Sequence, residues 1–215
     1  MVSSSPIHII THAEPAISVG PTILWPTMVL AENGSGYVEG DLEGFPEEDN
    51  YRIRANLGIG GAMSRAFKDA VRAARRRVWL LDEYLLGDDK SGERLWELFY
   101  DTGASDLRVV TSSKEGAEER AKRLMELEPD LQKRTFDTPP KIKIYLNFKS
   151  MKDLPEVHDR FAVIDDVLWH CGSTVGGLHY AINAMTFGWS VQQTRAEKFF
   201  LRVCNVLGEN DDRTR

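Results

Sequence analysis

Apolar positions recur at helical spacing along "GGAMSRAFKDAVRAARRR": Met63, Ala66, Phe67, Ala70, Val71 and Ala74 share one face and predict a helix. The unbroken apolar run "VWLLD" behind it predicts a buried strand. A second helix in "SGERLWELFYDTG" ends at Gly103 and leads into the strand "DLRVVTS", and a third, from about Lys114 to Leu127, stops near Pro129. "KIKIYLNF" reads as a further strand, "HDRFAVIDDVLWHCGS" as a hairpin, "LHYAINAMTF" as a helix and "QQTRAEKFFLRVCNVLG" as the last helix. Helices alternating with short apolar strands predict an α/β fold with a mixed β-sheet flanked by helices. Ahead of them, "AISV", "TILWPTMVL" and "GYVEG" are separated by turn residues and predict short strands or an extended arm.

Charge changes this picture at one place. The chain has 27 basic and 33 acidic residues, a net charge of −6. Residues 1–50 hold eight of the acids and no Lys or Arg, so the remainder is mildly basic, 27 against 25. The expected division is therefore an acidic segment over 1–50, a main domain over 51–208 and a flexible tail over 209–215. The acidic segment is expected to compete with a polyanionic substrate for the site, unless "TILWPTMVL" instead supplies an edge strand or a dimer contact. No window reads as a secretory leader or a membrane span, so the expected compartment is the cytoplasm. Cys171 and Cys204 form no CxxC pair, which fits a reducing compartment and two buried thiols.

The hairpin carries the candidate chemistry. If Asp165 and Asp166 form a two-residue loop, Ile164 faces Val167, Arg160 faces Cys171 and His158 faces Ser173. Side chains alternate with period two, so His158, Arg160 and Ser173 share one face. Asp165 has the other parity and lies up to seven strand steps, roughly 23 Å, from His158, so it is expected to shape the turn.

His158-x-Arg160-x4-Asp165 followed by Gly172-Ser173 resembles the His-x-Lys-x4-Asp and Gly-Ser signature of the phospholipase D superfamily. The looser resemblance of strand and helix order covers about residues 55–207. Members cleave phosphodiesters without a metal: one His attacks phosphorus, a second protonates the leaving oxygen, and Lys, Ser and Asn groups hold the phosphate. Here Arg160 stands in place of the Lys, Val175 in place of the Asn, and one motif is present. The resemblance implies His158 as nucleophile, Arg160 and Ser173 at the phosphate, and Gly172 and Asp165 as structural parts of the motif.

Each residue has a plainer reading beside that one. His158 is otherwise a structural strand histidine, Ser173 a polar strand end, and Thr174 a second hydroxyl with the same alternatives. Arg160 keeps a phosphate-binding charge, but its planar fork does not occupy the place of a compact ammonium without rearrangement. Asp82, Glu83 and Tyr84 close the "VWLLD" strand, which puts Glu83 forward as a residue that orients His158. Arg76, with Arg72, Arg75 and Arg77, either contacts a nucleic-acid backbone or complements the end of its helix. "GIGG" is a phosphate-loop candidate or a plain loop. His170 and Cys171 point to opposite sheet faces, against a shared metal, and Trp169, Trp189 and Phe187 read as core. The expected function is a metal- and cofactor-independent nuclease acting on DNA or RNA as a homodimer through the active-site face. The alternative is a non-catalytic module that binds phosphate or membrane phospholipid headgroups.

Overall fold

A computed structural model of the 215-residue chain describes residues 21–31, 33–46, 63–133, 140–146, 157–177 and 183–213. Among these residues eight strands form one sheet in the order β2-β1-β8-β7-β6-β3-β4-β5. The parallel part is β3 (Arg77–Leu81), β4 (Asp106–Val110) and β5 (Lys141–Tyr145). β6 (Arg160–Ile164), β7 (Val167–Cys171), β8 (Met185–Ser190), β1 (Thr22–Leu30) and β2 (Tyr37–Leu42) extend it antiparallel from β3. The α/β class and the mixed sheet expected from the sequence are present.

Local signals set the helices. Ser64 caps α1 (Arg65–Ala73), its hydroxyl accepting from the Phe67 N–H at 3.1 Å, and Asp88 caps α2 (Asp89–Tyr100) by accepting from Ser91 N–H at 2.7 Å. α3 (Ala117–Met125) follows Gly116, whose φ of 74° suits glycine, and α4 (Glu128–Gln132) carries Pro129 in its first turn. These four helices pack on one face of the sheet. Phe67, Val71, Leu95, Phe99, Ala121, Leu124 and Leu131 meet Val78, Leu80, Leu107, Val109, Ala162 and Ile164 there. The other face is covered by α6 (Ala196–Arg213), whose Phe200, Val203, Cys204 and Leu207 pack on Trp79, Leu81, Val163 and Leu168. Because β3 is buried on both faces its sequence is a continuous apolar run rather than an alternation.

Three expectations change. The helix expected over "LHYAINAMTF" lies partly outside the described residues, and from Met185 onward the chain is strand β8. Pairing with both β7 and β1 overrides the ambiguous periodicity of a short apolar run, and Gly188, at φ 111°, takes up the register shift opposite Leu168 and Trp169. The last helix is two: α5 (Val191–Thr194) ends at Arg195, in the left-handed region at φ 59°, and α6 restarts at once. α6 also continues to Arg213, past the expected start of a tail at 209.

The N-terminal strands are not an appendage to the sheet. β1 pairs with β8 at Thr22–Leu24 and with β2 at Trp25–Leu30, so β2 rather than β1 lies at the edge. Asp41 of β2 accepts the Ala66 N–H of α1 at 2.7 Å. The sheet thus runs across the composition break near residue 50. The "GIGG" loop lies outside the described residues.

Candidate functional site

Antiparallel pairing of β6 with β3 decides what surrounds the motif. Leu81 faces Phe161, so one step further the Asp82 that follows β3 comes beside Arg160 at the start of β6. The loops after β3 and β4, the start of β6 and the turn after β7 therefore share one edge of the sheet. In an open α/β sheet this carboxyl-end edge is where ligands are usually bound.

The β6–β7 register is the one the spacing predicts: Ile164 faces Val167 and Arg160 faces Cys171 across a two-residue turn. Arg160, Ala162 and Ile164 point to the α1–α4 face. Arg160 meets two carboxylates there, Nε lying 3.5 Å from Asp82 Oδ1 and Nη2 3.8 Å from Glu83 Oε1. Asp82 is fully buried; its Oδ1 accepts the Tyr84 N–H at 2.9 Å and its Oδ2 the Val175 N–H at 2.8 Å. Burial pushes the Asp82 carboxyl above its ordinary value, against the pull of those two N–H groups and of Arg160. Glu83, expected beside His158, directs its carboxylate at Arg160.

The turn after β7 is tightly built. Gly172 leaves room for the Ala184 carbonyl, which a Cβ would approach to 3.2 Å. Ser173 and Thr174 follow, both buried, and the Ser173 hydroxyl has no hydrogen-bond partner among the described residues. The turn is fastened by Val175 N–H to Asp82, by Ser64 N–H to the Gly176 carbonyl at 2.8 Å and by Gly177 N–H to the Thr174 carbonyl at 2.8 Å. Gly177, at φ 81°, packs against Pro26 of β1, whose Cγ a Cβ would approach to 2.5 Å. His158 is exposed just ahead of β6.

The loop after β4 adds a group that sequence reasoning missed. Lys114 Nζ stands 3.6 Å from the centre of the Tyr84 ring, and the Arg160 guanidinium carbon 5.3 Å from the same ring. Tyr84 thus places Lys114 and Arg160 around one ring. Among the described residues Lys114 faces no carboxylate, whereas Arg160 faces two. Thr111 and Ser112, in the same loop, are buried, and among the described residues their hydroxyls have no partner. The traceable signal was the polar run "TSSK" directly behind a buried parallel strand.

The motif's Asp165 sits at the far edge. Its φ of 48° is a left-handed turn position, which Asp tolerates better than most residues. Its carboxylate accepts three backbone N–H groups, from Arg75 at 3.1 Å, Arg76 at 2.9 Å and Arg77 at 3.1 Å, and its carbonyl accepts from Arg77 Nε at 2.8 Å. Burial acts to raise this carboxyl, but the three donors outweigh it and hold it below its ordinary value. Arg76 is at this edge too, ion-paired with Asp166, about six strand steps or roughly 20 Å from Asp82. It is not brought to the His158 edge. Arg77 bridges Asp166 and Glu197, and Arg72 pairs with Asp101.

Cys171 lies in the larger core, its thiol pushed up to about 12 by burial, and His170 points to the opposite face. Trp169 stacks on Phe187 at 4.2 Å inside that core, and Trp189 packs on the α6 side. Among the described residues no three His, Cys, Asp or Glu side chains are grouped to hold a metal ion, and no helix is long and apolar enough to cross a membrane.

No protein-family model matches the chain, and no curated protein does. Among solved structures it is similar to TrmBL2, an archaeal chromatin protein described as showing a novel mode of DNA binding. The identity is 8%, the TM-score 0.41, and the alignment covers 65% of this chain and 48% of that one. It is also similar to a phosphatidylserine synthase of Haemophilus influenzae Rd KW20, at 14% identity and a TM-score of 0.38, over 57% of this chain and 30% of that one. The chain therefore spans under half the length of either.

Proposed function

We propose that this chain is a phosphodiesterase of phospholipase D type that cleaves nucleic acid at the edge formed by His158, Arg160, Ser173 and Lys114. The observation that carries the reading is the register of one hairpin, which sets Arg160 of the motif opposite Cys171, one residue before the Gly172-Ser173 turn. In the first step a His158 ring nitrogen attacks phosphorus, the bond to the leaving oxygen breaks, and that oxygen takes a proton. In the second, water cleaves the phosphorus–nitrogen bond and frees the histidine. The proton donor is His158 of a second copy across a two-fold axis, because one motif supplies one histidine. Lys114 supplies the positive charge that Arg160, already facing Asp82 and Glu83, does not. Ser173 donates its buried hydroxyl to the same phosphate.

The same pairing of Arg160 favours a second reading, a module that holds phosphate without cleaving it, since a guanidinium neutralised by two carboxylates stabilises developing charge poorly. One experiment separates the two. Purified protein is incubated with labelled single- and double-stranded DNA and RNA in chelator, quenched and probed for acid-labile phosphohistidine. Cleavage with a trapped adduct on His158 supports the enzyme. Retention of substrate with neither cleavage nor adduct supports the binding module. Activity from a purely monomeric species removes the two-copy mechanism.

A further inference from the structure

On the face of the sheet opposite α1–α4, the joint of α5 and α6 opens into a groove of about 650 Å3. Buried Val191 and half-buried Leu201 form its apolar floor, and Arg195, Lys198 and Arg202 stand exposed along its wall. The Arg195 carbonyl accepts the Phe199 N–H at 3.1 Å, so Arg195 already belongs to the first turn of α6. The three cations therefore follow one another at one-turn spacing, on one side of the helix, over about 10 Å of its axis.

Nothing answers this row. Among the described residues none of the three side chains has a carboxylate within ion-pair reach. Glu197, the acid in the wall, is taken up by Arg77 at 2.8 Å, and Arg77 also faces Asp166. On the other helices the exposed Arg65, Arg72, Arg123 and Lys133 each lie beside an Asp or Glu three or four residues away. Like charges one turn apart repel and weaken the helix that carries them, so a bound anion of matching shape relieves α6.

The shape of the row narrows the partner. A single phosphate needs cations that converge on a point, whereas these are strung along a line as long as about three nucleotides at about 3.4 Å of axis each. An anionic membrane would use the same charges but also needs large apolar side chains to enter it. Among the described residues the exposed large hydrophobics all lie off α5 and α6. The course of α6 fits a strand as well. The Val191 N–H of α5 donates to the Asp166 carbonyl at 3.0 Å, at the turn edge of the sheet. Near the other end Gly208 faces Tyr145, the last residue of β5, where a Cβ would come within 3.9 Å of the ring. The helix thus runs from the turn edge to the carboxyl-end edge, the one that carries His158.

We propose, resting on the nucleic-acid reading above, that the α6 groove grips the phosphate backbone of one strand without reading its bases, and so holds the substrate that is cleaved at the His158 edge.

Binding of a labelled oligo-deoxythymidine strand to the full chain carrying His158→Ala is followed by fluorescence anisotropy in chelator, from about 50 to 200 mM salt. Each phosphate contact adds to the slope of log Kd against log salt. Arg195→Gln, Lys198→Gln and Arg202→Gln should each reduce that slope by about 0.7, and the triple variant by about 2. Lys198→Arg should keep it, and Lys122→Gln, an exposed site on α3, should leave it unchanged. Wild-type cleavage of the same strand is measured in parallel. Slopes that stay constant while the strand still binds overturn the groove and leave the His158 reading standing. Slopes that depend on α6 without any cleavage uphold the groove and overturn cleavage instead, and a strand that does not bind at all overturns both. Phosphatidylserine vesicles are the last arm: if the α6 variants lose affinity for them and not for the strand, the occupant is a membrane and the groove is not a strand site.

Discussion

The two ends of the β6–β7 hairpin obey opposite rules. At the turn end every strong polar group is answered: Asp165 takes three backbone N–H groups, Asp166 faces Arg76 and Arg77, and Arg77 also reaches Glu197. At the open end the hydroxyls of Ser173, Thr111 and Ser112 are buried without partners among the described residues, and a buried Asp82 is held by Arg160. Unanswered buried polar atoms cost stability, and the sheet holds others besides these, among them Trp169 Nε1 and Thr186 Oγ1. One motif, His158 to Asp165, spans both ends, and its first and last residues do unrelated work.

The sharpest way to break this contrast is to remove the nucleophile. His158→Ala should lower metal-free cleavage by about 10^4-fold, roughly 5.5 kcal/mol of barrier, and leave thermal melting unchanged because the side chain is exposed. Equal loss of melting temperature would mean that His158 is a structural residue. Arg160→Ala should cut cleavage and also destabilise by about 3 kcal/mol, because it strands the buried Asp82 carboxylate. Arg160→Lys, which keeps a charge beside Asp82, should cleave and fold; chemical denaturation beside a cleavage assay separates the two. At the other end, Asp165→Ala should cost about 2–3 kcal/mol of stability by orphaning three N–H groups, with cleavage per folded molecule preserved. If cleavage falls as far as it does for His158→Ala, the division between the ends is wrong.

The smallest effect is in the pH dependence, where the two aspartates have opposite signs. Asp165 has a lowered carboxyl, so its contribution is complete above the unfolded carboxyl value and disappears as pH falls through the folded one. Asp82 has a raised carboxyl and binds protons more readily when folded, so stability declines as pH rises from the unfolded value to the folded one. Asp165→Asn should flatten the acid limb of a denaturation-versus-pH curve, and Asp82→Asn should remove the decline above it. Matching slopes in both variants would contradict the assignment.

These differences mark where sequence reading reached. The hairpin register was legible because a two-residue turn and a period of two leave one solution, and the far placement of Asp165 followed from counting. Arg160's partners were not legible: Asp82 and Glu83 arrive through pairing with a strand some eighty residues away, and no local spacing encodes which loops meet. Lys114 was hidden for the same reason. β8 was misread because Met185–Ser190 is short and apolar, and only its two neighbours decide that it extends as a strand. Arg76 looked like part of a basic patch until Asp166, brought beside it by the turn, neutralised it.

The insertion of β1 between β8 and β2 has a consequence for how the chain holds together. β1 gives its backbone to β8 and its Pro26 to the Gly177 turn behind Ser173, while β2 sends Asp41 to the first turn of α1. The acidic N-terminal strands thus act as a donor hairpin to the structure they precede. Severing the chain between residues 47 and 62 should give two fragments that complement one another, and withdrawing the smaller should expose the β8 edge to any other strand offered. A peptide of residues 21–46 added in trans should then suppress aggregation of the larger fragment and return order to the Ser173 turn.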